Sequence, residues 1–493
     1  MSKVVIPARP APGLDLRPVL FVVGVLTLVV GLAMVLPGAA GLALGTRSGQ
    51  AFMAAAAITI GIGGLLVAGN RVPVPQMTLR QIYVLTVLVW VTVPAFAALP
   101  FVFSELRLSY TDAYFEAMSG LTTTGSTVLV GLDVMPRSIL LWRGLLQWLG
   151  GIGIVVMAMA VLPLLRTGGM QLFHAESSDR HDKPLPRITQ LVRVLLLAYL
   201  ALSGACALAY RLAGMSDFDA IVHAMATIST GGYSSHDLSF AYFASPTIEW
   251  LGTVFMLSGA LPFVLYVRAT RGDLMLLRDQ QVRAFAFAVL ASMVILTIWL
   301  GVHQEVALLD ALRLAAFNAT SIVTTTGFAS SDYNLWGGFA VGVFFYLTFI
   351  GGCTGSTAGA IKIFRFRVMA IVLGDYLLRR FSPHAVGRRS YDGRHLDDDV
   401  IEGVFAFAVV YALAVAVIAV GLGAMGLDLI TSLSGAATAL GNVGPGLGPI
   451  IGPAGNFATL PDAAKWLLAF GMLLGRLELF TVLVLLTPKF WRG

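Results

Sequence analysis

Thr122-Thr123-Thr124-Gly125-Ser126, Ser229-Thr230-Gly231-Gly232-Tyr233, Thr324-Thr325-Thr326-Gly327-Phe328 and Gly441-Asn442-Val443-Gly444-Pro445-Gly446 are four renderings of one short pattern. Each follows an apolar segment too short to cross a membrane alone. Aligned on Gly125, Gly231, Gly327 and Gly444, they are 106, 96 and 117 residues apart. A polar, glycine-bearing break inside hydrophobic sequence is costly in lipid unless it lines a water or ion path. Four such breaks predict four quasi-equivalent walls around one axis, which is how one chain can offer a ring of backbone carbonyls to a dehydrated cation.

The composition agrees. Of 493 residues, 57% are hydrophobic and only 12% charged, with a mean hydropathy of +0.85; a soluble domain carries about 25% charged residues. The chain reads as an all-α polytopic membrane protein embedded in the lipid bilayer. Its net charge of +6 reads as the positive bias of inner membrane loops, not as a nucleic-acid surface. Cys206 and Cys353 lie in apolar stretches, which argues against a disulfide framework. The apolar run from Leu20 reads as a first anchor and not a cleaved signal. There is no Walker A motif, no dinucleotide-binding glycine fingerprint after a strand, no histidine metal cluster and no catalytic triad setting. The chain is therefore read as no enzyme and without an organic cofactor, and nucleotide sensing would need another chain.

Two spans, about 18–37 and 51–69, open the chain in a segment 1–72. Four M1–P–M2 pore units follow at 73–187, 188–281, 282–399 and 400–493. Their first helices are expected near 79–103, 188–212, 282–302 and 400–424. Short re-entrant segments are expected near 111–122, 217–229, 308–323 and 428–440. Second helices are expected near 139–164, 247–267, 338–372 (interrupted) and 463–487. Helices rising about 1.5 Å per residue must cover roughly 30 Å to span, so the re-entrant segments cannot cross. With both termini inside, eight of the 32 Lys and Arg residues fall outside or within the membrane: Arg47, Arg107, Arg137, Arg143, Arg211, Arg313, Lys465 and Arg476. The remaining 24 are inside, as the positive-inside rule demands. The basic loops 166–187 and 373–399 are both cytoplasmic on this reading.

An acidic residue lies near the start of each re-entrant segment: Asp112, Asp219, Asp310 and Asp428. It either caps the helix or also complements a dipole whose negative end faces the glycine break. Trp148, Trp250, Tyr346 and Trp466 recur in the following helices and mark the register as packing or interfacial aromatics. Glycine permits the extended, inward-facing backbone that replaces an ion's hydration shell. The K+-binding oxygens are therefore expected from Thr123, Thr124 and Gly125; Ser229, Thr230 and Gly231; Thr325, Thr326 and Gly327; and Asn442, Val443 and Gly444. Within unit three, Gly351, Gly352, Thr354, Gly355, Ser356, Thr357 and Gly359 cannot hold a straight lipid-facing helix well. They form either an unwound segment facing a cavity or a tight glycine packing seam. Arg476 sits mid-span, where facing lipid would cost roughly 2.5–3.5 kcal/mol. It either faces the pore or bridges to another helix; Glu478, two residues on, is poorly spaced to pair with it on one face.

With these residues in hand, the chain resembles the membrane subunit of the bacterial Trk potassium uptake system, the TrkH/TrkG group of the Trk/Ktr/HKT superfamily. The stretches that carry the resemblance are Ser119–Gly125, Gln147–Gly153, Gly168–Phe173, Gly351–Thr357 and Gly475–Phe480, and it covers nearly the whole length. The resemblance implies gated K+ uptake across the cytoplasmic (inner) membrane. It implies that 351–359 obstructs the pore, with Lys362 anchoring the loop at the inner interface, and that Arg476 is a positive barrier below the filter. It also implies a homodimer and a TrkA-like cytosolic regulatory ring that binds nucleotide. A cation carrier with alternating access, coupled to Na+ or H+, is the competing reading; carriers often carry inverted repeats, whereas these repeats are parallel.

Overall fold

The computed structural model describes residues 14–72, 77–160, 184–269, 272–273, 278–382, 389–392 and 394–492. The Gly168–Phe173 stretch and most of the 166–187 loop lie outside them. The first two helices, Arg17–Ala43 and Arg47–Gly69, form a hairpin. Glycines at intervals of seven let them close: a Cβ on Gly24 would lie 3.0 Å from the Gly63 carbonyl oxygen, and one on Gly31 2.8 Å from Ile60 Cγ1. Small residues at such seams let backbones approach where lipid offers no hydrophobic drive. The hairpin docks on unit one through a Ser48–Ser138 hydroxyl pair at 2.6 Å and an edge-on Phe52–Trp142 contact.

Four units of one design follow, so the fold is a helical membrane bundle with a fourfold pseudo-repeat. Their outer helices are Leu79–Phe103, Pro184–Leu212, Gln280–His303 and Asp398–Ala424. Their pore helices are Tyr110–Leu121, Asp217–Ile228, Leu308–Val323 and Leu429–Gly441. The longest has 16 residues, about 24 Å at the helical rise, too short for a span. Of the four acidic residues only Asp428 is itself an N-cap; the other three lie in the first turn. Ser109, Ser216 and Asp428 accept from first-turn N–H groups, Asp112 and Asp219 sit in the first turn, and Asp310 serves unit three, whose N-cap is Ala307.

The inner helices depart most from expectation. Among the described residues only that of unit one, Arg137–Ala160, runs without a break. In unit two, Pro246–Gly259 and Phe263–Ala269 meet at 95°, and in unit four Asp462–Arg476 and Phe480–Leu486 meet at 106°, where the sequence suggests continuous helices. Pro262 lacks the N–H that would reach Ser258 O, which accepts from the Tyr266 hydroxyl instead, and the carbonyl of Ala260 accepts from Cys353 N–H. In unit four, Glu478 and Leu479 take positive φ values of 59° and 45°. Unit three is interrupted as expected: Gly338–Leu347, a loop, then Ile363–Phe381. Among the described residues, seven helices are long and apolar enough to span, nine if each bent pair counts as one; the interrupted helix of unit three is the tenth element of the expected set. Cys206 and Cys353 are buried free thiols.

Inner-helix glycines allow direct crossing of the pore-helix ends. A Cβ on Gly150 would lie 1.9 Å from the Leu121 carbonyl oxygen, on Gly475 1.9 Å from that of Leu440, and on Gly259 3.0 Å from that of Ile228. Gly153, on the same helix as Gly150, has nothing within 4 Å. Gly150→Ala should therefore force the backbones apart and cost about 3 kcal/mol or more. Gly153→Ala should be neutral or gain up to about 1 kcal/mol of helix propensity. Thermal denaturation of the two variants in detergent checks this; equal melting temperatures would remove the close crossing.

Candidate ion-conducting site

The pore helices converge on four short segments with the same backbone course. First comes a residue in the left-handed region: Thr123 (φ 52°), Thr230 (φ 50°), Thr325 (φ 57°) and Asn442 (φ 52°). The next residue's N–H bonds back five positions: Thr124 to Ser119, Gly231 to Ala226 and Thr326 to Ser321 at 2.8 Å, and Val443 to Thr438 at 3.0 Å. A glycine of positive φ completes each: Gly125 (90°), Gly232 (78°), Gly327 (85°) and Gly444 (110°). This corrects the register of unit two by one residue. Its segment is Thr230-Gly231-Gly232, and Ser229 is the C-cap of its pore helix, matching Thr122 and Thr324. Two consecutive glycines hide the register in sequence; the backbone selects the second. Threonine in the left-handed region is a steric outlier, and strain of this kind, repeated around a ring, marks a functional segment.

The four segments close on one another. A Cβ on Gly125 would lie 2.2 Å from the Gly231 carbonyl oxygen, on Gly232 1.9 Å from Thr326 O, on Gly327 2.2 Å from Val443 O, and on Gly444 2.8 Å from Thr124 O. Each unit's carbonyl thus occupies the space a side chain would need on its neighbour. Side chains brace the ring. Thr122 and Thr124 hydroxyls pair at 2.8 Å, and Thr324 and Thr326 at 2.7 Å. Asn442 Nδ2 donates to Thr124 Oγ1 and Met472 O. In unit two, where Gly231 has no hydroxyl, Gln147 supplies the brace: its Nε2 donates to Gly231 O at 2.5 Å and its Oε1 accepts from Tyr233 N–H.

A second set, missed from sequence, holds the chain as it leaves the ring. Nine residues before each of the first three glycines stand Glu116, His223 and Asn318, all buried. Glu116 accepts from Val128 N–H and Thr127 Oγ1; His223 Nε2 pairs with Ser234 Oγ at 2.9 Å; Asn318 bonds both the hydroxyl and the N–H of Ser330. In unit four Ser434 Oγ accepts from Leu447 N–H. The common spacing of nine is the signal that could have found them. Charged contacts then join every neighbouring pair of units. Arg143, paired with Glu116 at 2.8 Å, donates to Ser234 O; Arg313 pairs with Glu249 at 2.6 Å; Arg365 pairs with Glu478; and Lys465 pairs with Asp112 at 2.6 Å. The recurring aromatics pack or stay exposed: Trp148 donates to Ser203 and Trp466 stacks on Tyr114, while Trp250 and Tyr346 are exposed.

On one side of the ring the four glycines line a vestibule. Another cavity meets the ring at Asn442 and is lined by Gly355, Ser356, Gly359, Lys362 and Arg476. The unit-three segment is an unwound loop that also packs tightly, so each sequence alternative holds in part. Its ends pair as a two-residue parallel ladder, Ile350–Gly351 with Ile361–Lys362. Gly359 N–H donates to Thr325 Oγ1, Ala360 N–H to Gly441 O, and Thr357 Oγ1 to Gly259 O. A Cβ on Gly351 would lie 2.1 Å from Gly359 O, and one on Gly359 2.3 Å from Gly441 O. Gly352 packs against Ala260. Lys362 is buried and donates to Ala358 O, which places it within the loop's neck. Arg476 donates through Nη1 to Thr357 O at 3.0 Å, and its Nε and Nη2 have no partner. No carboxylate among the described residues pairs with it; Glu478 belongs to Arg365.

Comparison with known proteins follows the same outline. The family model of TrkH, described as a cation transport protein, matches residues 48–492. The Trk system potassium uptake protein TrkI of Halomonas elongata is 50% identical over 480 residues, 96% of this chain and 97% of that one. The potassium uptake protein TrkH of Escherichia coli K12 is 39% identical over 482 residues, 97% and 99% of the two chains. The crystal structure of the potassium transporter TrkH from Vibrio parahaemolyticus superposes with a TM-score of 0.89 at 36% identity, covering 97% of this chain and all of that one. These relatives are named as transport proteins, not enzymes.

The register of unit two is open to a direct check. Gly231 corresponds to Thr124, Thr326 and Val443, and the nearest atoms to a Cβ there, from 2.4 Å, are those of the Gln147 side chain and not backbone. Gly232→Ala should abolish selective cation flux in liposomes, whereas Gly231→Ala should retain a substantial part of it. The reverse order would restore Gly231 as the ring glycine.

Proposed function

The chain belongs to the TrkH family of cation transport proteins, and from that premise we propose that it takes up potassium through a selective, gated pore on its pseudo-fourfold axis. The ring of carbonyls is the filter, with oxygens from Thr123, Thr124 and Gly125; Thr230, Gly231 and Gly232; Thr325, Thr326 and Gly327; and Asn442, Val443 and Gly444. The observation that carries this reading is the cyclic closure of glycine on neighbouring carbonyl. The carboxyl ends of all four pore helices add partial negative charge toward the ring, which favours a cation. The named relatives transport potassium, and this chain keeps glycine at all four ring positions.

The loop 351–359, with Lys362 at its neck and Arg476 against it, forms the gate beneath the filter. A fixed positive charge about 8 Å from a permeating cation, at an effective dielectric near 20, repels it by roughly 2 kcal/mol; about 1.4 kcal/mol is a tenfold change in rate. The distribution of Lys and Arg supports an inner-membrane protein with both termini cytoplasmic, its pore units divided at 73–187, 188–281, 282–399 and 400–493. Regulation comes from a cytosolic nucleotide-binding ring of the TrkA kind acting on a homodimer; the relatives' naming as parts of a Trk system supports partner subunits.

Uptake of K+, Rb+ and Na+ by the purified protein in liposomes tests the assignment. Gly125→Ser should lower the K+ over Na+ preference, because its Cβ would displace the Gly231 carbonyl; an unchanged ratio would sink the filter assignment. Arg476→Ala should raise K+ flux about tenfold or more with stability intact, and Arg476→Lys should stay close to the parent. An Ala variant that is poorly folded and inactive would instead make Arg476 a structural donor to the loop.

A further inference from the structure

The inner helix of unit four breaks immediately after Arg476, and the break is held from another unit. Glu478 has φ 59°, and Leu479 has φ 45° with ψ −60°. The Phe480 N–H donates to the Glu478 carbonyl, two residues back, at 2.5 Å. This is a γ-turn of the rare, strained hand, centred on a buried leucine, with no glycine to relieve it. Such a conformation persists only where surrounding contacts over-determine it. Leu479 N–H donates to Leu474 O of the preceding helix, and one contact reaches the turn from another unit: the Glu478 carboxylate accepts from Arg365 of the unit-three helix Ile363–Phe381, and both side chains are buried. The Arg365 guanidinium also lies 3.6 Å from the centre of the Phe407 ring. Both ends of this ion pair adjoin the gate. Arg365 stands three residues after Lys362, at the foot of the loop. Glu478 stands two after Arg476, which holds Thr357 of the loop through one N–H while its Nε and Nη2 remain unpartnered.

We propose that the Arg365–Glu478 pair is the latch of the gate. While it is closed, the strained turn holds Asp462–Arg476 and Phe480–Leu486 at 106° and keeps Arg476 against the loop. When it opens, Leu479 relaxes to ordinary helical geometry, the two pieces come into line, and Arg476 leaves Thr357. Arg365 and Glu478 are positioning residues, acting on the ion only through the loop and Arg476. The inference rests on the reading of loop and Arg476 as the gate.

The test uses the full chain in liposomes, with Rb+ uptake, competition by Na+ and melting temperature measured for the parent, Glu478→Gln and Leu479→Gly. Glu478→Gln weakens the latch and should raise uptake about tenfold, equivalent to roughly 1.4 kcal/mol of population shift. Leu479→Gly accepts the turn without strain and should lower uptake severalfold, while the cavity left by its buried side chain lowers the melting temperature. Both should leave the ion preference at the parent's value. Opposite signs at adjacent positions are what a merely structural ion pair does not give. If both variants lose uptake and stability together, the latch is overturned. If Glu478→Gln fails to fold, Leu479→Gly decides alone: uptake equal to or above the parent's overturns the proposal. A parent without K+-selective uptake removes the functional reading and the latch with it, whereas a selective parent with an unaffected Leu479→Gly variant removes the latch alone.

Discussion

Each carbonyl of the central ring rests against a neighbouring unit's glycine Cα, in the volume a Cβ would fill. This single steric condition, met four times, sets most of what surrounds it. Glycine is required at 125, 232, 327 and 444, since only glycine combines that approach with positive φ. The pore helices must end just before the ring, so that their chain can turn through the left-handed residue that precedes it. The inner helices must cross those helix ends closely, which Gly150, Gly259 and Gly475 permit. Because each contact joins two units, displacing one unit disturbs the carbonyl of the next.

The backbone repeats four times, but the groups bracing it do not. The chain leaving the ring is held by a carboxylate in unit one, an imidazole in unit two, an amide in unit three and a hydroxyl in unit four. All four satisfy backbone or hydroxyl groups two or three residues past the ring glycine, as burial demands, yet only Glu116 brings a charge, and Arg143 is buried beside it to balance that charge. The ring therefore sits in an asymmetric field despite its symmetric backbone. Joining the units by charged side chains at every interface adds specificity of assembly more than net stability, since desolvation consumes most of the attraction of a buried pair.

The large-scale plan was legible because it follows from periodicity and hydropathy: four breaks, short pore helices with acidic starts, an interrupted helix in unit three, and an arginine too deep to face lipid. What escaped depends on contacts distant in sequence. The step from Gly231 to Gly232 is invisible where two glycines adjoin, because it is decided by φ and by the bond from Gly231 N–H to Ala226 O. The bends of units two and four escaped because hydropathy continues through them; they fall where Pro262 withdraws a donor and where Glu478, paired with Arg365, takes a positive φ. Sequence places Arg143, Arg313 and Lys465 only as outside or within the membrane; their partners Glu116, Glu249 and Asp112 are set by the fold.

Irregular backbone at membrane depth survives only when its polar groups find partners, and the breaks of units two and three are each other's partners. Cys353 N–H donates to Ala260 O, Phe263 N–H to Gly355 O, and Thr357 N–H to Gly259 O. Each bond joins the loop to the place where the unit-two helix stops. Moving the loop alone would strand donors and acceptors on both sides, at a cost per group comparable to that of a lost buried hydrogen bond. Water is the one substitute small enough to follow the loop as it moves and satisfy what it leaves. On the proposed reading of the loop as the gate, its withdrawal and the wetting of the cavity beneath the ring are a single event, and a cation that needs hydration on leaving the ring would find it only once the loop has moved.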